Sequence, residues 1–172
     1  MSFQFFRKRP TAMTRPEFVK RFGGVYEHSP WIAEAVYDGR LRPAHDGVKA
    51  MHAAMIEAVE TAPRERKLEL LRAHPDLAGK LAVRGELTPD STREQASARL
   101  DSCTAAEFDR FQDLNTAYRA KFDFPFIMAV RGKARTEILA AFERRIHNEP
   151  DTEFRAALDE VHKVALLRLG DL

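Results

Sequence analysis

The sequence predicts an all-α fold, in the form of a single-domain helical bundle of about seven or eight helices. Alanine, a strong helix former, occurs 25 times, whereas the β-branched residues valine and isoleucine occur nine and five times. Apolar residues also recur at steps of three and four along much of the chain, as they do on the buried face of an α-helix. A chain of 172 residues can bury an adequate core without disulfides.

The beginning of the chain predicts a lead-in followed by a short helix. Residues 1–12 are expected to be flexible, and residues 13–172 to form the domain. Thr14 and Glu17 have the spacing of a capping box, so the first helix is predicted to begin after Thr14. It is expected to end at Gly23-Gly24.

Three further helices and a loop are predicted before residue 91. Ser29-Pro30 favours a helix start, with the end at Gly39. Apolar spacing indicates helices over 46–61 and 64–73. The stretch 75–90 has only weak periodicity and contains the helix breakers Gly79, Gly85 and Pro89, so it is predicted to be the longest loop.

Two more capping-box patterns follow the loop. Ser91 with Glu94 predicts one helix start, and Thr104 with Glu107 predicts another. The helix after Thr104 is long, and its inward stripe is apolar except for one asparagine. That stripe consists of Phe108, Phe111, Asn115, Tyr118 and Phe122.

The last third of the chain predicts a buried connection and two helices. Pro125 interrupts the dense apolar run 122–130, which indicates that a helix ends there and that an extended, buried segment follows. A helix is predicted over 133–147, and Thr152 is expected to open the last one. The apolar stripe of that last helix has Arg168 at a core-facing position.

Charge and cysteine content narrow the functional classes. The 28 Lys and Arg residues nearly balance the 26 Asp and Glu residues, and no basic stripe indicates nucleic-acid binding. Cys103 stands alone and cannot form an internal disulfide, which favours a reducing compartment and a cytoplasmic protein. No signal-peptide core and no apolar run of membrane-spanning length are visible, and the six histidines lack zinc-site spacing, so neither membrane nor metal is expected.

Four polar features interrupt the apolar pattern, and three of them have more than one interpretation. A buried Arg168 needs either an internal carboxylate or an anionic ligand. Asn115 is expected to tie a loop to the bundle by hydrogen bonds. His74, before Pro75, is either a helix cap or a general acid or base. The segment 91–95 is a capping box, a ligand-binding helix start, or both.

Taken in order, several motifs resemble the 2-oxo-4-hydroxy-4-carboxy-5-ureidoimidazoline (OHCU) decarboxylase family over nearly the whole chain. The motifs are Phe18-x-x-x-Phe22-Gly23-x-Val25-x-Glu27-x-Ser29-Pro30-Trp31, His74-Pro75-Asp76-Leu77-Ala78-Gly79, Leu87-Thr88-Pro89-x-Ser91-x-x-Glu94-Gln95, Leu114-Asn115-x-x-Tyr118-x-x-Lys121-Phe122-x-Phe124-Pro125-Phe126-Ile127 and Leu167-Arg168-Leu169.

The resemblance implies an all-helical decarboxylase that uses no cofactor, is usually a homodimer, and forms (S)-allantoin from the last unstable intermediate of urate oxidation. It implies that His74 is the catalytic histidine and Glu94 the essential acidic residue. The implied substrate-binding positions are Pro75, Ser91, Thr92, Arg93, Gln95, Phe126, Ile127, Met128, Ala129, Val130 and Arg168. The family usually has glycine where this chain has Asp123, and aspartate tolerates a positive φ better than most residues.

These residues suggest a division of roles. His74 is expected to act as general acid or base with help from Glu94, and Arg168 either to neutralise substrate charge or to fix Glu94. Ser91 and Gln95 are expected to hold polar substrate atoms, and the main chain of 126–130 to bind the ring. Two alternatives remain from the sequence: a ureide hydrolase without a cofactor, and a helical binding or regulatory module.

Overall fold

A computed structural model describes residues 4–79, 82 and 84–172, and this part of the chain contains helices and no strand. The all-α prediction is therefore confirmed. The eight α-helices of the described residues are α1 Arg15–Phe22, α2 Trp31–Asp38, α3 Val48–Glu60, α4 Arg64–Arg72, α5 Pro89–Ser97, α6 Ala105–Phe122, α7 Arg135–Arg145 and α8 Pro150–Gly170. Short 3₁₀-helices cover Pro10–Ala12, Pro43–Asp46 and Leu100–Ser102. No helix within the described ranges is both long and apolar enough to cross a membrane.

Predicted capping patterns explain the starts of α1 and α6. In α1, the Thr14 N–H donates to the Glu17 carboxylate at 2.8 Å, and in α6 the Thr104 N–H donates to Glu107 at 2.9 Å. The last helix begins at Pro150, two residues before the predicted Thr152, because the Glu149 carbonyl already accepts the first helical hydrogen bond.

The loop predicted over 75–90 is only partly described. Ala82 and Arg84 have helical backbone, whereas Lys80, Leu81 and Val83 lie outside the described residues. Helix α5 begins at Pro89, so the stretch before it ends at Thr88, two residues before the predicted loop end at Asp90.

The chain forms two compact units. Unit 1 comprises Met1–Ala73 with His162–Leu172, and unit 2 comprises His74–Val161. In unit 1 the fully buried side chains include Phe18, Tyr26 and Met51, which come from α1, from the turn after it, and from α3. In unit 2, the rings of Phe126 and Phe142 stack with centroids 4.0 Å apart.

The chain before α1 is held by contacts within unit 1. The sequence predicts a flexible lead-in over residues 1–12, of which 1–3 lie outside the described residues. Phe6 is buried, and the Phe6 N–H donates to the Asp46 carbonyl at 3.0 Å. The Gln4 carbonyl accepts from the Val48 N–H, and the Thr11 hydroxyl donates to the Asp46 carboxylate. Backbone groups and an aromatic side chain thus tie residues 4–12 to the start of α3.

Candidate active site

His74 is the first residue of unit 2 and lies two residues after α4 ends at Arg72. Pro75 prevents the helix from continuing, and the His74 side chain is buried, with 8% of its surface exposed. Ala78 then adopts a left-handed conformation with φ of 49°, which turns the loop sharply. The segment His74–Gly79, hereafter the His loop, therefore has an irregular backbone whose polar groups need partners.

Gln95 of α5 supplies two of these partners. The Ala78 N–H donates to Gln95 Oε1 at 3.0 Å, and Gln95 Nε2 donates to the Asp76 carbonyl at 3.2 Å. The side chain is buried. One amide thus fixes both sides of the turn and joins the His loop to α5.

Helix α6 supplies three more partners from one side of the helix. Asn115 Nδ2 donates to the Leu77 carbonyl at 3.0 Å, and Gln112 Nε2 donates to the Ala78 carbonyl at 2.8 Å. Arg119 Nε donates to the Asp76 carboxylate at 2.8 Å. The prediction that Asn115 ties a loop to the bundle is confirmed. We call Gln95, Gln112, Asn115 and Arg119 the His-loop clamp.

The start of α5 differs from the predicted capping box. The helix begins at Pro89, and its N-cap is Thr88, whose hydroxyl accepts from the Ser91 N–H at 3.3 Å. Ser91 is therefore the third residue of the helix and does not cap it. The reason is that Pro89 fits the first helical position, where no N–H is needed and φ is already helical.

The predicted binding residues of α5 fall on two faces. Ser91 and Gln95 are buried and Glu94 is half-buried, so these three side chains share the inward face at spacings of three and four residues. Thr92 and Arg93 are exposed: Thr92 donates to the Thr88 carbonyl, and Arg93 pairs with Asp90. The inward face also carries the Gln95 bonds to the His loop.

The apolar segment Phe126–Val130 has protein partners for several of its backbone groups. Arg145 Nη1 donates to the Ile127 carbonyl, and the Ala129 N–H donates to the Glu160 carboxylate, both at 2.8 Å. The Val130 carbonyl accepts from the Lys133 N–H at 2.9 Å. Side chains of α7 and α8 and the backbone of Lys133 thus hold three of its polar groups. That the main chain of 126–130 binds the ring stays a prediction.

Arg145 belongs to a buried network beneath that segment. Glu153 is 0% exposed; it accepts from Arg145 Nε and from Asn148 Nδ2, each at 2.8 Å, and from the Tyr118 hydroxyl. Burial, followed by the bond to Glu153, raises the pKa of Tyr118 above its ordinary value. The Arg145 guanidinium also lies over the Phe126 ring, 4.4 Å from its centroid.

Sequence reasoning missed Arg145 and Glu153, although one signal was present. Arg145 follows Ile138 and Phe142 at steps of four and three, so it occupies a core-facing position in α7 as Arg168 does in α8. A buried arginine requires a carboxylate partner, and Glu153 lies only eight residues further along the chain.

One helix face therefore supports two of the three predicted substrate segments of unit 2, the His loop and Phe126–Val130. Asn115 contacts the His loop, and Tyr118, three residues later, packs edge-on against Phe126 with centroids 5.5 Å apart. The α6 stripe fixes the positions of the two segments within this unit.

Arg168 lies in unit 1 and has an internal carboxylate partner. Its Nη1 donates to Glu27 Oε2 at 2.8 Å, and Arg168 and Glu27 are 4% and 3% exposed. The sequence analysis expected either such a partner or an anionic ligand, and it did not identify Glu27. The proposed roles of Arg168 toward substrate and toward Glu94 remain predictions.

Two further observations concern the predicted site. Asp123 ends α6 with φ of 65° and ψ of 21°, so the left-handed conformation expected from the family glycine is confirmed. In the described ranges, no group of three or more His, Cys, Asp or Glu side chains has an arrangement that could hold a metal ion.

Comparison with known proteins gives consistent matches. A sequence model described as OHCU decarboxylase matches residues 11–170. The 2-oxo-4-hydroxy-4-carboxy-5-ureidoimidazoline decarboxylase of Haloferax volcanii is 49% identical over 90% of this chain and 88% of its own. The enzyme of the same name from Mus musculus is 40% identical over 91% of this chain and 86% of its own.

Two solved structures are also similar. A crystal structure of (S)-allantoin synthase superposes with a TM-score of 0.72 at 35% identity, over 93% of this chain and 51% of that one. A crystal structure of OHCU decarboxylase in the presence of (S)-allantoin gives a TM-score of 0.68 at 24% identity, over 86% of this chain and 93% of that one, and supports the fold.

Proposed function

The chain belongs to the OHCU decarboxylase family, and on that premise we propose that it is a carboxy-lyase that converts OHCU to (S)-allantoin and CO2 in urate degradation. The observation that carries the proposal is the 49% identity to a decarboxylase of that name over 90% of this chain. The clamped His loop supports it, because catalysis needs a rigidly placed acid or base.

The chemistry of the substrate explains why such a site suffices. OHCU carries a carboxylate next to a ring C=N bond, so the electron pair released with CO2 moves into the ring. The protein must orient the substrate, exclude water and deliver one proton to one face of the ring. A cofactor that serves as an electron sink is then unnecessary.

We propose His74 as the general acid or base that contacts the hydroxyl and carboxylate region of the substrate, with Glu94 as its assistant. The support is that His74 is buried and that its loop is bonded to α5, the helix that carries Glu94. Proton delivery from a fixed imidazole to one face would make the product purely S.

The proposed substrate contacts are grouped by segment. In unit 2 they are Pro75, Ser91, Thr92, Arg93 and Gln95, together with the main chain of Phe126, Ile127, Met128, Ala129 and Val130; in unit 1 the proposed contact is Arg168. The inward positions of Ser91 and Gln95 support them as ligands of the ureido and ring polar atoms. Thr92 and Arg93 have weaker support because they are exposed.

The decisive experiment follows freshly generated OHCU by chiral analysis and CO2 release. The wild-type protein is expected to give enantiopure (S)-allantoin with stoichiometric CO2. His74→Ala and Glu94→Gln should each slow formation roughly 100-fold or more, since general acid–base groups contribute on that scale. Circular dichroism should show an intact fold.

Matched controls come from exposed residues of the same types. His147→Ala and Glu149→Gln should retain wild-type rates, because both side chains are exposed. Full activity of either site variant would reject the assignment. Ring opening without CO2 release would favour a ureide hydrolase, and a salt-dependent DNA shift without turnover would favour a binding module.

Three further features are proposed with this function. Homodimerisation is checked by light scattering, and independence from cofactors by activity after dialysis against a chelator. A cytoplasmic location is supported by the single cysteine, Cys103. Fractionation of the host cell tests the location.

A further inference from the structure

Unit 1 contains a groove, and none of the residues proposed for catalysis belongs to its lining. It has a volume of about 650 Å³ and lies between the end of α2 and one side of α3. Its α3 side is formed by small apolar side chains, those of Ala50, Ala53, Ala54 and Ala58. A volume of this size accommodates a small organic molecule.

The loop after α2 forms one end of this groove, and two arginines lie in that loop. Arg40 and Arg42 are exposed, and neither guanidinium has an ion pair or hydrogen bond among the described residues. Glu57 is the acidic residue on the α3 side. The lining therefore carries two positive charges against one negative charge, with both positive charges at the same end.

His45 adds a neutral donor beside the arginines. The His45 side chain is buried, with 9% of its surface exposed. Its Nδ1 accepts a hydrogen bond from the Arg42 N–H at 3.1 Å. The proton of the neutral ring is therefore on Nε2, which can donate to a ligand. Burial, followed by the nearby Arg42 charge, lowers the pKa of His45, so the ring stays neutral near pH 7.

The backbone at Arg40 is unusual for an arginine. Arg40 has φ of 68°, the left-handed conformation that follows many helix ends and that glycine adopts without strain. A residue with a Cβ is strained in this conformation. The chain has glycine at the preceding position, Gly39. At position 40 it has arginine, although glycine would make the folded protein more stable there.

We propose that this groove binds a small organic oxyanion, with its carboxylate or phosphate group held by Arg40, Arg42 and His45 Nε2–H and its apolar body against the alanines of α3. Guanidinium groups bind both oxyanions, often through two parallel hydrogen bonds. The alanine surface selects ligands that carry an apolar body over inorganic ions.

The test uses the full-length protein and titrates three probes in 0.15 M NaCl, followed by amide chemical shifts in NMR spectra. The probes are benzoate, phenyl phosphate and inorganic phosphate, with benzamide as the neutral analogue. Saturable shifts are expected at residues 39–45 and on the exposed side of α3, with benzoate or phenyl phosphate bound at least fivefold more tightly than inorganic phosphate. The stronger of the two organic probes identifies the preferred oxyanion.

Variants separate a binding role from a structural one. Arg40→Gly should leave the melting temperature equal to or above that of the wild type and weaken probe binding at least fivefold. Arg42→Ser should weaken binding similarly. Arg144→Ser is the matched control, since Arg144 is an exposed arginine of unit 2.

Three results would overturn the proposal: no saturable shift with either organic probe, equal binding of benzamide, or equal loss of binding in Arg144→Ser. A fourth is a change of molecular mass in Arg40→Gly or Arg42→Ser, measured by light scattering, because it would identify the groove as a contact between copies of the chain.

Discussion

At the scale of single residues, Asp123 shows that a residue other than glycine can hold a left-handed turn at the end of a helix. It ends α6 in the left-handed conformation, and its N–H donates to the Arg119 carbonyl at 2.9 Å. Aspartate and asparagine tolerate this conformation better than other residues with a Cβ, and glycine adopts it at no steric cost.

Replacing Asp123 by glycine is therefore expected to stabilise the protein by about 0–1 kcal/mol and to leave decarboxylation unchanged. Urea denaturation measures the first effect and steady-state kinetics the second. Asp123→Val serves as the opposite control, with a loss of roughly 1–2 kcal/mol because a β-branched residue is strained there. Greater stability of the valine variant would contradict this account.

Single polar residues at core positions were the most informative part of the sequence. Periodicity alone predicted that Asn115 and Arg168 face the core and that both need polar or charged partners. It did not show which partners, because the Leu77 carbonyl lies 38 residues from Asn115 and Glu27 lies 141 residues from Arg168. Contacts over such separations depend on the packing of whole helices, which local spacing does not encode.

At the scale of secondary-structure elements, overlapping local signals were the source of error. Thr88-Pro89 and Ser91-x-x-Glu94 are both valid helix starts, three residues apart. The earlier one is used, which moves Ser91 from the cap to the inward face of α5. Capping patterns without a competitor, at Thr14 and Thr104, were predicted correctly.

The His-loop clamp gives a prediction about catalysis that depends on the proposed function. Gln112→Ala removes the donor to the Ala78 carbonyl and leaves the other clamp residues in place. We expect kcat to fall roughly tenfold with little change in KM, because imprecise placement of the acid or base affects the transition state more than substrate binding.

Thr116→Ala on the exposed side of α6 is the control, and it should retain wild-type kcat. Gln112→Glu offers a further comparison, because the carboxylate keeps the length of the side chain but cannot donate to a carbonyl when ionised. An unchanged kcat in both Gln112 variants would show that the clamp does not control catalysis.

The start of α1 gives a prediction about pH. A hydrogen bond from the Lys8 ammonium, followed by those from the Thr14 N–H and hydroxyl, lowers the pKa of the Glu17 carboxyl from 4.5 to about 2. A carboxyl whose pKa is lower in the folded state stabilises the fold above its unfolded pKa, and this contribution is lost as pH falls from 4.5 towards 2.

Glu17→Gln should therefore lower the melting temperature above pH 5, and the difference from the wild type should shrink as pH falls below 4. Thermal denaturation between pH 2.5 and 7 measures it. Glu149→Gln, which alters an exposed carboxyl near α8, is the comparison. A difference between Glu17→Gln and wild type that is independent of pH would contradict the argument.

At the scale of the whole molecule, each unit contains a buried pair of opposite charges. Glu27 and Arg168 pair within unit 1 across 141 residues, and Arg145 and Glu153 pair within unit 2. A buried charge without its partner is costly, whereas loss of both charges is tolerated if the space is filled.

Glu27→Gln is expected to destabilise the protein by about 3–5 kcal/mol, because it removes the negative charge that lies 2.8 Å from the buried Arg168 guanidinium. The double variant Glu27→Leu with Arg168→Met should recover a large part of that loss. Urea denaturation of the single and double variants measures the coupling between the two sites. A single variant within 1 kcal/mol of the wild type would show that the pair is structurally unimportant.

The all-α class and most helix bounds could be predicted because they depend on composition and on spacing within one or two turns. The grouping of helices into units could not, since it depends on contacts between residues far apart in the chain. The candidate site could be predicted in part. Its residues were named through motifs, whereas the clamp that holds the His loop required the structure.

The hydrogen bond from Gln4 Nε2 to the Gly170 carbonyl, 2.8 Å long, brings residues near the two ends of the described chain within one side-chain length. A short flexible linker from Leu172 to Gln4 could therefore close the chain into a ring with little strain. The turn at residues 61–63, between α3 and α4, is largely exposed and offers a place for new termini. Such a circular permutant would begin at α4 and continue directly into the His loop, so the segments proposed for catalysis would be synthesised first.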